Sequence, residues 1–249
     1  MTKQVHRTQG LWLENQDLRE WQAVVLAATV DGIVLDRSAF YPGGGGQPPD
    51  HGVLLWQGVQ TAIVGTRKQD ELYLIPAEDD PLPPIGTVVT GALDNPRRTA
   101  LMRTHSALHL LSGVVYRDFG ALVTGCDMGP GVGRMDFTLS ELAPGFKEHI
   151  EELCAVEIEQ DRRIDVRTLP AAEAFQNPDL IRTATNLLPP DITDVRVVDI
   201  VGLDVQADGG THVGSTKQIG RLRVKKCESK GTGKRRIRIE LSDREEGRA

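Results

Sequence analysis

Aromatic residues are scarce in this chain: three Trp, three Tyr and five Phe among 249 residues, 4% of the total. Extensive base stacking is therefore not expected, and shape and backbone recognition with a small number of end contacts is the better expectation for any nucleic-acid partner. Cysteines are also few. Cys126, Cys154 and Cys227 are odd in number, widely spaced and without a CxxC pair. This excludes a cysteine-type zinc finger, argues against a disulfide framework and predicts a reducing cytoplasm. No stretch approaches the roughly 18 apolar residues of a membrane span, and the opening MTKQVHRTQG lacks the apolar centre of a secretion signal. No membrane partner is expected. Positive charge is in deficit, with 29 Lys and Arg against 35 Asp and Glu and a net charge of −6. A DNA partner read through a broadly basic surface is not expected either, and any nucleic-acid contact must be local.

What the chain does contain falls into two parts. Up to about residue 94 it reads as short strands: Ala23–Val30 and Ile33–Leu35 around an Asp31-Gly32 hairpin signal, then Val53–Trp56, Thr61–Val64, Leu72–Ile75 and Thr87–Thr90. Strands at this spacing predict a β-barrel-like domain over 1–94. Asp94-Asn95-Pro96 is the linker, with Asn95 as the expected cap and Pro96 at the first helical position. From Arg98 to about Tyr116, Leu101, Leu108, Leu111 and Val115 recur near helical spacing, with Gly113 the only glycine. Further helices are expected over Phe146–Gln160, Ala171–Phe175 and Pro178–Thr183, and a strand over Val195–Ile200. A hairpin of Ile219–Lys226 and Arg235–Leu241 closes the pattern, and the residues after Asp243 are expected to fray. The fold class is α+β, a barrel-like domain followed by an α+β domain over 95–249.

Two pairs of potential metal ligands stand out. His105 and His109 are four apart on the long helix, so both side chains project from one face. The motif HSALH lacks the glutamate of a HExxH metalloprotease. Taken alone, it also suits two hydrogen-bonded structural histidines. Asp208 and His212 are four apart in DGGTH, where Gly209 and Gly210 let a loop fold tightly. That stretch alone reads equally as a Gly-rich turn. Together the pairs supply three imidazoles and a carboxylate, a donor set suited to Zn²⁺.

HSALH, the distant DGGTHVGSTKQIG and KGTGKRRIRI resemble the editing domain of alanyl-tRNA synthetase and its free-standing relatives, the AlaX trans-editing proteins. AFYPGGGGQP over Ala39–Pro48 is similar to the FYP-x-GGGQ segment that precedes this domain in the synthetase and in longer AlaX forms. A synthetase aminoacylation domain does not fit in 249 residues, which points to the free-standing type. The family pattern pairs HxxxH with CxxxH, whereas Asp208 stands at the cysteine position here. Leu108 stands where synthetases often carry threonine, and Gly125–Met128 where they carry a Gln-containing stretch.

The resemblance implies hydrolysis of mischarged alanine tRNA, Ser-tRNA(Ala) and also Gly-tRNA(Ala), at the 3′-terminal ester. A pocket that accepts alanine cannot exclude glycine by size and rejects an added hydroxyl poorly, so a second hydrolytic site restores fidelity. Zinc would either activate water and polarise the carbonyl or position the ester. Thr104 and Thr211 are candidate catalytic hydroxyls, and Gly209 and Gly210 candidate backbone contacts. Gly43, Gly44, Gly45 and Gly46 do not form a P-loop, since no GK[ST] follows. With Gln47 they are expected to meet the tRNA(Ala) acceptor end, the alternative being a flexible connection. Lys225, Lys226, Lys230, Lys234, Arg235, Arg236 and Arg238 face only Glu228 within their segment. They read as a phosphate-tracking ribbon or a solvated face, and Arg97, Arg98 and Arg103 could extend the patch. Other readings are a metal-dependent esterase with another substrate and a non-catalytic tRNA-binding module. Oligomeric state is not legible.

Overall fold

In a computed structural model, residues 8–29, 31–140, 142–176, 180, 183 and 192–243 are described. They divide into two compact units, Met1–Thr99 and Ala100–Ala249. Most of the helix expected over Pro178–Thr183, the polar tail and the first seven residues lie outside the described set.

The first unit contains β1 (Gln9–Gly10), α1 (Leu11–Glu14), β2 (Glu20–Thr29), β3 (Gly32–Leu35) and β4 (Arg37–Ser38), then β5 (Gly52–Trp56), β6 (Val59–Lys68), β7 (Leu72–Pro76) and β8 (Val88–Leu93). Six of these close into a barrel in the order β2-β3-β7-β6-β5-β8. Alternation drives the closure: Trp21, Ala23 and Val25 are buried while Glu20 and Gln22 are exposed. Phe40, Leu54, Ile63, Leu74 and Val89 complete the apolar interior. Val30, the last residue of the first expected strand, lies outside the described set.

The unit boundary falls just after the first turn of α2 (Asn95–Phe119). The cap is Asp94, one residue before the expected Asn95: its Oδ1 accepts the Arg97 N–H at 3.0 Å. Asn95 is already helical, because the carboxylate one residue earlier reaches the free amides of the first turn.

The second unit continues with β9 (Val123–Gly129), β10 (Val132–Phe137), α3 (Phe146–Glu159), β11 (Ile164–Pro170), α4 (Ala171–Ala174), β12 (Asp194–Ile200), β13 (Asp204–Ala207), β14 (Arg221–Ser229) and β15 (Arg235–Ser242). Two sheets form, β14-β15-β10-β9 and β11-β12-β13. Leu108, Leu111, Met128, Met135, Ile150, Val224 and Ile237 share their principal core. Buried Glu157 fastens three segments: Arg117 at the end of α2 donates to its Oε1 at 2.5 Å and Arg162 to its Oε2 at 2.6 Å. Gly113 explains the one glycine in α2, since a Cβ there would lie 2.7 Å from the Cβ of Asp204. Its absence lets β13 approach α2, and Gln206 Nε2 donates to Ser112 Oγ beside it at 3.2 Å. The strand leading into Asp208 is thereby docked one turn beyond His109. Among the described residues no helix is long and apolar enough to cross a membrane.

Candidate metal centre and basic hairpin

His105 and His109 project from α2, and Asp208 and His212 from the segment after β13. Their ligand atoms lie within 4.8 Å of one another. Asp208 Oδ1 is 3.5 Å from His105 Nε2 and 3.9 Å from His109 Nε2, and Oδ2 is 3.1 Å from His212 Nε2. Tetrahedral zinc with bonds near 2.0–2.1 Å separates its ligands by about 3.3 Å. The observed spacings bracket that value, so this donor set fits the ion. The ring centroids are 4.3 to 4.9 Å apart.

Burial sets the charge of the cluster. Desolvation pushes His105 down to about 3 and His109 and His212 to about 4, outweighing the attraction of Asp208. The imidazoles are neutral at physiological pH and keep a lone pair for coordination. Asp208 works against its own burial: the surrounding histidines hold it well below the usual carboxylate range.

The DGG loop has a defined local structure. Asp208 Oδ2 accepts the Gly210 N–H at 2.6 Å, an Asx turn. Arg196 Nη1 donates to the Asp208 carbonyl at 3.1 Å, and the Asp208 N–H donates to the Arg196 carbonyl at 3.0 Å. Ser106 was not singled out in the sequence. It is fully buried, lies 3.2 Å from His212 Nδ1 and accepts the Val213 N–H at 3.1 Å. Its only signal in the sequence is its position inside HSALH.

Other expected site residues are placed differently. Thr104 is fully buried, donates to the Ala100 carbonyl and accepts the Gly131 N–H, so its hydroxyl is spent on the fold. Thr211 is also fully buried, beside His212 in the chain. Arg98 is 0% exposed and satisfied by Asp50, Ala39 O and Gln16 O, which removes it from any phosphate-contacting patch. Arg103 holds Ile219 O, Ser242 O and Asp243, and Arg97 donates to Pro49 O. Gly43, Gly44, Gly45 and Gly46 all have positive φ, which explains the glycine run. Gly44 and Gln47 exchange backbone hydrogen bonds, and Gln47 is buried. Gly209 lies in the loop between Asp208 and Gly210, with open space where a side chain would stand.

The basic hairpin is a lattice of ion pairs over much of its length. Arg236 makes a two-point contact with Asp136 at 2.7 and 2.8 Å. Lys226 and Arg238 share Glu228, and Lys225 meets Glu240 at 2.7 Å. A bulge between Val224 and Lys226 makes these pairings possible by shifting the register. Arg235 donates to Ser140 O and Lys234 O. Lys230, Lys234 and Arg221 are exposed and, among the described residues, form no close ion pair, although the Lys230 charge acts on Asp136.

Fold and site together define an α+β protein whose second unit carries a cluster of three buried histidines and one aspartate that could hold a metal ion. Residues 195–238 match the family described as Threonyl and Alanyl tRNA synthetase second additional domain, and residues 6–97 match tRNA synthetases class II (A). The chain is 34% identical over 232 residues to the alanyl-tRNA editing protein AlaX-M of Saccharolobus solfataricus, covering 92% of this chain and 97% of that protein. It is 31% identical to the AlaX-M protein of Methanosarcina acetivorans, covering 95% of this chain and all of the relative. Alanine–tRNA ligase of Pyrococcus furiosus is 32% identical over 95% of this chain, which spans 26% of that ligase. The chain belongs to the AlaX family of alanyl-tRNA editing proteins.

Proposed function

We propose that this protein is an aminoacyl-tRNA deacylase that removes serine, and also glycine, from mischarged tRNA(Ala) by hydrolysing the 3′-terminal ester. The observation that carries this reading is the convergence of His105, His109, Asp208 and His212 in a chain whose relatives are named alanyl-tRNA editing proteins. Zinc bound by these four residues would supply Lewis acidity toward the ester carbonyl or toward water. The chain's own residues do the rest. Burial keeps the three imidazoles neutral, and Gly210 and Arg196 fix the Asp208 loop. Residues 95–249 form the editing domain, and residues 1–94 present the exposed backbone of Gly44 and Gly45 to the acceptor end. Lys230, Lys234 and Arg221 track backbone phosphates, since they are exposed and, among the described residues, form no close ion pair. The three free cysteines suit work in a reducing cytoplasm.

Deacylation of Ser-, Gly- and Ala-charged tRNA(Ala) side by side tests the reading. Ser-tRNA(Ala) should be cleaved far faster than the correct species, because a site that bonds the serine hydroxyl is left unpaired by alanine. Comparable rates on both would refute editing and favour a general esterase.

A further inference from the structure

Ser106 has a position that its helix alone does not require. It is the residue after His105, yet its hydroxyl serves His212, which reaches the cluster from a segment more than a hundred positions away. The side chain is fully buried, and its Oγ is within 3.2 Å of His212 Nδ1 and accepts the Val213 N–H at 3.1 Å. One hydroxyl thus holds both the ring of His212 and the backbone just after it.

The two nitrogens of His212 have different surroundings. Nε2 faces Asp208 Oδ2 at 3.1 Å and, with the Nε2 atoms of His105 and His109, points at the shared centre. Nδ1 faces Ser106. A neutral imidazole that offers Nε2 to a cation carries its proton on Nδ1, and that buried N–H needs an acceptor. Oγ can fill this role, because a serine oxygen has two lone pairs and the Val213 N–H takes one.

We propose that Ser106 is a positioning residue for the metal centre: by accepting the Nδ1–H of His212 while anchoring Val213, it orients the fourth ligand toward His105, His109 and Asp208. This inference rests on the reading of the cluster as a zinc site. Ser106 acts through His212 and is not itself a ligand. Outer partners of ligating histidines typically contribute 10–100-fold to metal affinity.

Zinc titration of the full chain tests this, with Ser106→Ala compared with wild type and Ser38→Ala. Ser38 is a buried serine of the barrel unit, outside the ligand-bearing segments, whose Oγ accepts the Phe40 N–H. Ser106→Ala should bind zinc about 10–100-fold more weakly, and Ser38→Ala within about twofold of wild type. Nitrogen-15 spectra of the zinc-loaded wild type supply a readout that a merely structural serine would not move. His212 should carry a slowly exchanging proton on Nδ1. Equal zinc affinity of Ser106→Ala and wild type, or a loaded His212 without that proton, would overturn the role of Ser106 and leave the metal site standing. A wild-type chain that bound no zinc would overturn the metal reading itself and this inference with it.

Discussion

Each unit places an aspartate in a polar cluster, and the two are treated in opposite ways. Asp50 in the barrel unit is 1% exposed and faces fully buried Arg98, whose Nε lies 3.0 and 2.9 Å from its two oxygens. The same carboxylate accepts the Tyr41 N–H, and the guanidinium is completed by Ala39 O and Gln16 O. Carboxylate and guanidinium are thus paired directly with each other and with backbone groups. Asp208 sits instead among three imidazoles that burial keeps uncharged at physiological pH, and Arg196, whose charge also acts on those rings, donates to the Asp208 backbone carbonyl. Its donor atoms converge on one point. The first arrangement can only hold a structure together, whereas the second is suited to a divalent cation. Both are polar and largely shielded from solvent, so shielding alone does not distinguish a functional cluster from a structural one. What distinguishes them is whether the carboxylate is bonded to a guanidinium or converges with other donor atoms on one point.

Substitutions that break this contrast should differ in size. Asp50→Ala leaves the Arg98 charge buried and unpaired and should cost about 3–5 kcal/mol. Denaturant unfolding within 1 kcal/mol of wild type would show that the barrel cluster is not the closed pair described. Gly113→Ala inserts a methyl group where β13 meets α2 and should cost about 1–3 kcal/mol, despite alanine's better helix propensity. It should also loosen the metal site, so unchanged stability and zinc affinity would disprove the close docking. Asp208→Asn should change the stability of chelator-treated protein by less than about 1 kcal/mol, because the amide oxygen still accepts the Gly210 N–H. A loss as large as that of Asp50→Ala would make the two aspartates equivalent. Asp208→Cys should keep or tighten zinc binding, since thiolate is the softer ligand, and weaker binding would count against the four-ligand set.

The smallest effects belong to the hairpin. Replacing Arg221, Lys230 and Lys234 together with Ala should flatten the salt dependence of tRNA binding by about 2–3, at roughly 0.7–0.9 per phosphate contact. Replacing Arg236 and Arg238, held by Asp136 and Glu228, should change it less. The reverse order would return the phosphate track to the ion-paired residues.

The sequence made the barrel strands, the long helix and the two ligand pairs legible because each has a local signature: alternation, 3.6-residue periodicity or four-residue spacing. β9 and β10 had none. VTGCDMG and VGRMDF mix glycine and charge, and their pairing with each other and that of β10 with β15 hold them as strands. Charge counting also misjudged the arginines. A run of basic residues looks alike whether its partners are solvent or, as for Arg236, an aspartate a hundred positions away. Arg98 shows the same effect in a buried site, and Ser106 shows its converse, a residue of no local distinction given a role by a distant loop.

The most direct test of the central claim is elemental analysis of the intact protein, purified without chelator, beside His109→Ala. One zinc per wild-type chain and a loss of most of it in the variant is the predicted result. Wild-type protein free of transition metal, or a variant holding as much zinc as wild type, would contradict it.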